Sequence, residues 1–425
     1  MNAEKRKKNK IYSKKSNKES PDENQYYIDI AKKCKSSKVT LTIVFVVYLL
    51  LMIILYREQI TMENFRYLVK YLDTNSPEYT GQTRTIHYDP AAELRIDLYK
   101  GDLAVVRGKS VDLYNMIGNI MVNYTINYTR PMLMTSKRNM LVYAQGDYSY
   151  TVNNAFSQLH SETLKYPISG AAISDSGLYA ITTKSIEYRS AVYIYDAGFN
   201  MISQILKDKL VMDVQINAAG TEVLVISSYN QGGEFQTEIM AASPYSETEN
   251  FVDIQPSTYG VKAKYNSAGG YAVICDNQIL FYSEQHRLIN TFTYRGYIPL
   301  NYYLGDDYTA IVFNENIVGN NNTVYIFNKQ GELVYNDILQ GQISDITGND
   351  KFVYILFNDA ITEINIPANI VRHRDLVNVS GMRVILKDSD KIIICYPHHA
   401  DIFITGELFD NVEITIYGGN DELSN

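Results

Sequence analysis

The densest set of possible metal ligands in the chain is Cys395-Tyr396-Pro397-His398-His399-Ala400-Asp401, which brings a thiol, two imidazoles and a carboxylate close together in sequence. These are the donor types of a zinc site. Against that reading, Cys395 ends an apolar run, and Pro397-His398-His399 has the composition of a hairpin turn. The set reads as strand and turn first, and no metal is expected. The other histidines, His87, His160, His286 and His373, are scattered.

Asp306-Asp307 with Asp350 could form paired carboxylates or a calcium site, but they recur at the same place in successive repeats and read as solvated turn residues. His373-Arg374-Asp375 matches a kinase catalytic triplet without any companion motif. Ser174-Asp175-Ser176-Gly177 occupies the turn that Ala218-Ala219-Gly220 fills in the next repeat, so it is no nucleophile elbow. The chain has 37 Tyr and could carry an aromatic sugar platform, although strand propensity accounts for tyrosines equally well. No catalytic residue, cofactor site or metal site emerges.

The elements that would position such residues are short strands. From about residue 84, β-branched and aromatic runs alternate with Gly, Asn and Asp turns, the pattern of an all-β domain. One run recurs as LAVV (103–106), MLVYAQ, LYAITT, EVLVISS, YAVICD, TAIVFN, FVYILFN and IIICYP (392–397). A second follows each of them, beginning at residues 110, 148, 190, 235, 278, 323, 360 and 400. A repeat of this length with four short strands is the β-propeller solution. Eight copies predict about eight four-stranded blades over 84–417, with seven as the alternative if the last copy is incomplete or the ring closes with a borrowed strand. Thr85-Ile86-His87-Tyr88 is the candidate closing strand. Cys275 and Cys395 fall at matching places three blades apart, too far for a disulfide, and are expected as free buried thiols.

Upstream, Val39 to Tyr56 runs eighteen residues without a charge, Pro or Gly. As a helix it spans roughly 27 Å, close to the hydrocarbon core of a bilayer. Residues 1–38 carry twelve Lys/Arg against five Asp/Glu, a net of +7, whereas 57–425 carries −15. By the positive-inside rule this places the N-terminus in the cytoplasm and the propeller outside. A cleavable signal peptide is the competing reading, but 38 residues precede the run and no small-residue cleavage site follows. A single-pass signal anchor over 39–56 is therefore expected, behind a disordered basic tail over 1–38. A juxtamembrane amphipathic helix and linker over 57–83 carries Ile60, Phe65, Leu68, Val69 and Leu72, and 418–425 forms a polar tail.

At TVYIFNKQGELV, AVYIYDAGFNMI and ILFYSEQHRLI the chain resembles the superfamily of WD40-like and quinoprotein-like repeat propellers, over roughly 94–417. The chain has no Trp, so the WD dipeptide is absent and a quinone cofactor is not implied. The arrangement of basic tail, span, TMENFRYL-like helix and propeller is similar to a membrane-anchored propeller family of unknown function from Gram-positive bacteria. That resemblance implies a cell-membrane location and a fold, but no activity.

The expected function is a non-catalytic extracytoplasmic scaffold that binds a protein or cell-wall partner. The acidic outer domain excludes nucleic acid. The candidate contact residues lie in the two longest polar insertions between repeated strands: Tyr229, Asn230, Gln231 and Glu234 in SYNQGGE, and Glu315, Asn316, Asn320 and Asn321 in ENIVGNNN. The alternative is an enzyme acting on envelope glycans at the channel mouth. It requires polar side chains from three or more blades to converge there.

Overall fold

The structure, a computed structural model, describes residues 21–55, 84–245, 249–314, 321–377, 381–387, 390–410 and 412–417. The chain divides into two compact units, Met1–Glu78 and Tyr79–Asn425.

In the first unit a single helix runs Pro21–Leu55. Its stretch Tyr27–Met52 is long and apolar enough to cross a membrane, and none of the most apolar window is buried in protein. The helix starts well before the expected Val39, which corrects the reading of 21–38 as unstructured. Pro21 sits at the first helical position, where its missing N–H costs nothing. Once the apolar run has nucleated a helix, extending it through Glu, Gln, Ala and Lys residues is cheap. Thr40 and Thr42 donate to the Ser36 and Lys38 carbonyls at 3.0 and 2.9 Å, keeping their hydroxyls paired inside the apolar stretch. Residues 1–20 and the expected 57–83 helix lie outside the described residues.

In the second unit the described strands assemble into eight antiparallel sheets, the blades of a propeller. The blades span 95–125, 131–163, 168–207, 210–256, 260–293, 299–340, 343–375 and 383–404. The first strand of each blade is innermost, and most neighbouring blades touch through these strands around the axis. The repeated runs of the sequence are the second and third strands, buried on both faces, as in Met140–Ala144 and Tyr271–Cys275. The outermost strands alternate, as Gln158–Thr163 does.

Eight apolar clusters fill the structure, and each straddles two consecutive blades. No cluster belongs to one blade alone. Blade 8 takes its fourth strand from the N-terminus: Arg84–His87 pairs with His399–Ile404, in register Arg84 with Ile402 and His87 with His399. The expected closing strand is therefore present, and the ring has eight blades, not seven. A second strap was not foreseen. After blade 8 the chain crosses back, and Ile414–Ile416 adds a fifth strand to the edge of blade 7, with Tyr417 edge-on to Tyr335 of blade 6 at 4.7 Å.

Cys275 lies in the cluster between blades 4 and 5, Cys395 in the one between blades 8 and 1, and both are unbridged. Burial pushes each thiol up to about 12. Native protein should therefore leave both unlabelled by iodoacetamide at pH 8, and denaturation without reductant should expose two reactive thiols beyond Cys34. Mass spectrometry of the alkylated protein reads this directly, and fewer than two additional labels would contradict the blade assignment.

Candidate functional site

Antiparallel strands give the ring two chemically distinct ends. One carries the turns between first and second strands and between third and fourth. The other carries the second-to-third hairpins and the connections between blades. The chain enters the closing strand at Arg84, at the turn end.

At the turn end, neighbouring blades are laced together. Tyr99 donates to the Arg138 carbonyl, the Lys137 amide to Asp175 at 2.9 Å and the Ser267 amide to the Asp306 carbonyl at 2.7 Å. A Cβ on Gly220, whose φ is +71°, would collide with Ser176 Oγ of the preceding blade. Asp306, Asp307 and Asp350 belong to this lacing. Asp306 pairs with Lys264 at 3.0 Å, and the Asp350 carbonyl accepts from Tyr308. Asp307 takes Ser267 Oγ at 2.7 Å and Lys329 at 3.0 Å; burial opposes its charge, but these two donors outweigh it and hold it below the ordinary carboxylate range. Ser174 and Ser176 share a hydrogen bond within their own turn.

The hairpin end carries the candidate contact residues. Val223–Gln231 and Glu234–Ala242 of blade 4 are nine residues each, longer than the five to seven of most second and third strands. Tyr229, Asn230 and Gln231 are not a loose loop: they pair with Gln236, Phe235 and Glu234 up to the tip. Gly232 and Gly233, with φ of +65° and +93°, supply the two left-handed positions of a tight hairpin turn.

The hairpin is braced along its length. Glu234 accepts from Ser257 at 2.8 Å, Phe235 packs edge-on against Tyr259 at 5.4 Å, and Lys209 lies 4.5 Å over the Tyr229 ring. At the base, buried Glu238 pairs with Lys207 at 3.0 Å and also with Lys209. Burial opposes its charge, and the two lysines more than reverse the effect, so Glu238 stays below its usual value. Apolar side chains stand exposed at the same end: Phe235 on the hairpin, and Tyr297, Ile298 and Leu300 where blade 5 passes to blade 6. Asn321 is exposed and opposite Gln340. Glu315, Asn316 and Asn320 lie outside the described residues.

Three carboxylates that the sequence reading passed over sit on the inner strands that wall the channel. Asp213 of blade 4 accepts from the Ala263 amide of blade 5 at 3.0 Å and from Lys262 at 2.7 Å. Asp345 of blade 7 accepts from the Val384 amide of blade 8 at 2.9 Å. Asp97 of blade 1 accepts from Thr135 of blade 2 at 3.2 Å and lies 3.7 Å from Arg383, which also reaches the Ile96 carbonyl. Each ties one inner strand to the next. Burial lifts Asp345 above the ordinary carboxylate range despite the Val384 amide and Arg383. Their signal in the sequence, an Asp inside a first strand, was hidden because those strands lack a continuous apolar run.

The histidine-rich segment is spread over a strand end, a turn and the start of the next strand. Cys395 points into the core, Asp401 accepts from Thr85 at 2.6 Å, and His399 Nε2 stands 3.7 Å from Asp401. Among the described residues no three His, Cys, Asp or Glu side chains gather to hold a metal. His373 bonds Thr362 at 2.9 Å on the outer strand of blade 7.

These ties predict opposite effects at two aspartates. Asp213→Ala strands Lys262 and the Ala263 amide and should cost about 1–3 kcal/mol in urea unfolding at pH 7. Asp345→Asn keeps an acceptor for Val384 and removes a charge that burial disfavours. The raised value of Asp345 means its contribution is present at low pH and lost as pH rises, so the asparagine variant should match or exceed the parent at pH 8. A loss there as large as that of Asp213→Ala would contradict this.

No curated protein matches the chain in sequence. Solved structures share the fold at low identity. BamB from Moraxella catarrhalis aligns with a TM-score of 0.51 at 10% identity, covering 75% of this chain and 98% of that one. Apo AztD from Citrobacter koseri gives 0.51 at 10%, over 78% and 93%. A eukaryotic initiation factor gives 0.53 at 11%, over 80% and 89%. In sequence, residues 76–401 match the model of a family of unknown function, DUF5711, and the chain is a member of that family.

Proposed function

We propose that this protein is a non-catalytic propeller scaffold, held at the cell membrane by its N-terminal helix, that binds a protein or cell-envelope partner outside the cytoplasm. The observation that carries this reading is the braced hairpin of blade 4, which carries strand geometry to its tip and presents Asn230, Gln231 and Phe235 to solvent. A rigid projection loses little conformational entropy on contact. The chain enters the closing strand at the opposite, turn end. The charge contrast of +7 before the span and −15 after it supports a cytoplasmic N-terminus. Asn321 is assigned to the same contact face, and Glu315, Asn316 and Asn320, which precede it in sequence, are proposed as contacts with it.

The enzyme alternative has one observation in its favour. Asp97, Asp213 and Asp345 come from three blades and stand on the channel wall. Each is engaged with the neighbouring blade, however, which supports a structural role over a catalytic one.

Crosslinking in intact cells followed by affinity purification should recover a defined partner with the parent chain. Replacing Asn230 and Gln231 with serine and Phe235 with threonine should cut recovery at least tenfold while leaving the urea midpoint unchanged. Equal recovery from the variant would remove the hairpin from the contact. Protease added to intact cells should digest residues 84–417, and protection of that region would reverse the topology.

A further inference from the structure

Three of the six histidines meet at the seam where the N-terminal strand closes the ring. His87 on the closing strand lies directly opposite His399 on the last strand of the repeat, with ring centroids 6.2 Å apart. His398 is 4.5 Å from His399, and Tyr396 stacks on that ring at 4.5 Å. The His399 side chain is 12% exposed, and its Nδ1 is buried with no hydrogen-bond partner among the described residues. An uncharged imidazole tolerates that position. A charged one adds an N–H donor with no acceptor and a cation opposite another cation.

The remaining groups at the seam give little relief. Asp401 stands 3.7 Å from His399 Nε2, but one of its oxygens already accepts from Thr85 of the closing strand. Arg84 is a further cation on the same strand. Asp89, just beyond it, pairs with Arg107 of blade 1 at 2.9 Å. From the other elements packed here come Cys395 in the core and the Tyr88 hydroxyl, which sits 2.6 Å from both the Tyr396 and His399 carbonyls, while Tyr114 packs on the Tyr88 ring.

We propose that the Arg84–His87 strand is an acid-sensitive clasp: protonation of the histidines facing each other across this seam loosens the strand from blade 8 and opens the ring where the chain leads back to the apolar helix. Like charges directly opposite on neighbouring strands are destabilising, and imidazole is the side chain that gains charge in mild acid. The direction agrees with the surroundings of His399. Burial lowers its proton affinity, His398 and His87 lower it further, and only Asp401 opposes them. The closed seam therefore binds protons less readily than the open one. Its stability is intact above about pH 6.5, the ordinary imidazole value, and falls as pH drops below it. The clasp requires no knowledge of the partner and stands independently of the scaffold reading.

Hydrogen exchange on the full chain in detergent micelles tests this, comparing protection factors at pH 7.5 and 5.5 after correction for intrinsic exchange. Amides of 84–88 and 399–402 should lose protection by about fivefold at the lower pH. Amides between blades 4 and 5 should not change. The variant His399→Gln removes the imidazole that burial and its neighbours hold uncharged; matching protection elsewhere at pH 7.5 would verify that it folds, and it should lose most of the pH difference. Unchanged protection in the parent, an equal loss in His399→Gln, or a uniform loss over all blades would each overturn the clasp.

Discussion

Every blade in this ring is apolar on both faces, and that constraint governs the rest of the molecule. A four-stranded sheet of five- or six-residue strands cannot bury two apolar faces by itself. Here each face is covered by the next blade, and each of the eight clusters draws side chains from two consecutive blades. A linear stack would leave two faces bare. Ring closure removes both, which is why the N-terminal strand is built into the last blade and Ile86 is fully buried there.

In a chain without Trp, tyrosine supplies much of the large aromatic packing inside the clusters between blades. Tyr179 stacks on Tyr195 at 4.8 Å and Tyr271 on Tyr282 at 4.9 Å, each pair opposite across the second and third strands. A buried tyrosine must also house a hydroxyl. Tyr150 donates to Glu162, Tyr282 to Asp253 and Tyr265 to Glu222. Many of the carboxylates of this acidic domain are thus accounted for as acceptors for buried phenols or for the backbone of the next blade. The same logic explains the channel aspartates, which look like a reactive set and act as ties.

What the sequence disclosed follows from the same physics. The second and third strands are buried on both faces, so they read as uninterrupted apolar runs and set the repeat and the blade count. First and outer strands are partly wet. Leu210–Ile216, with Asp213 inside it, and Pro299–Leu304, with Asn301 inside it, carry no such run and were not located. Asp97, Asp213 and Asp345 were hidden with them. Turn residues placed Asp175, Gly220 and Asp307 correctly between strands, because positive φ and side-chain capping are local properties. The Ile414–Ile416 strap was not legible, since three residues have no period and their pairing depends on where blade 7 ends in space. The hairpin of blade 4 was read as a polar insertion between strands, whereas its strands continue to the two glycines.

The clasp strand also sets the order in which the molecule can be made. Thr85 and Asp401, joined by a hydrogen bond across the closing pair, are 316 residues apart in the chain. At typical synthesis rates that separation takes on the order of 15 to 60 seconds to produce. Until then the first blade has no neighbour on one side, and Ile96, Leu103 and Val105 have nothing to cover them from blade 8. Blades can assemble one after another behind the emerging chain, but the last interface waits for the final repeat. A chain interrupted before residue 399 would retain most of its blades and still carry two sticky ends, so completeness of synthesis is written into solubility.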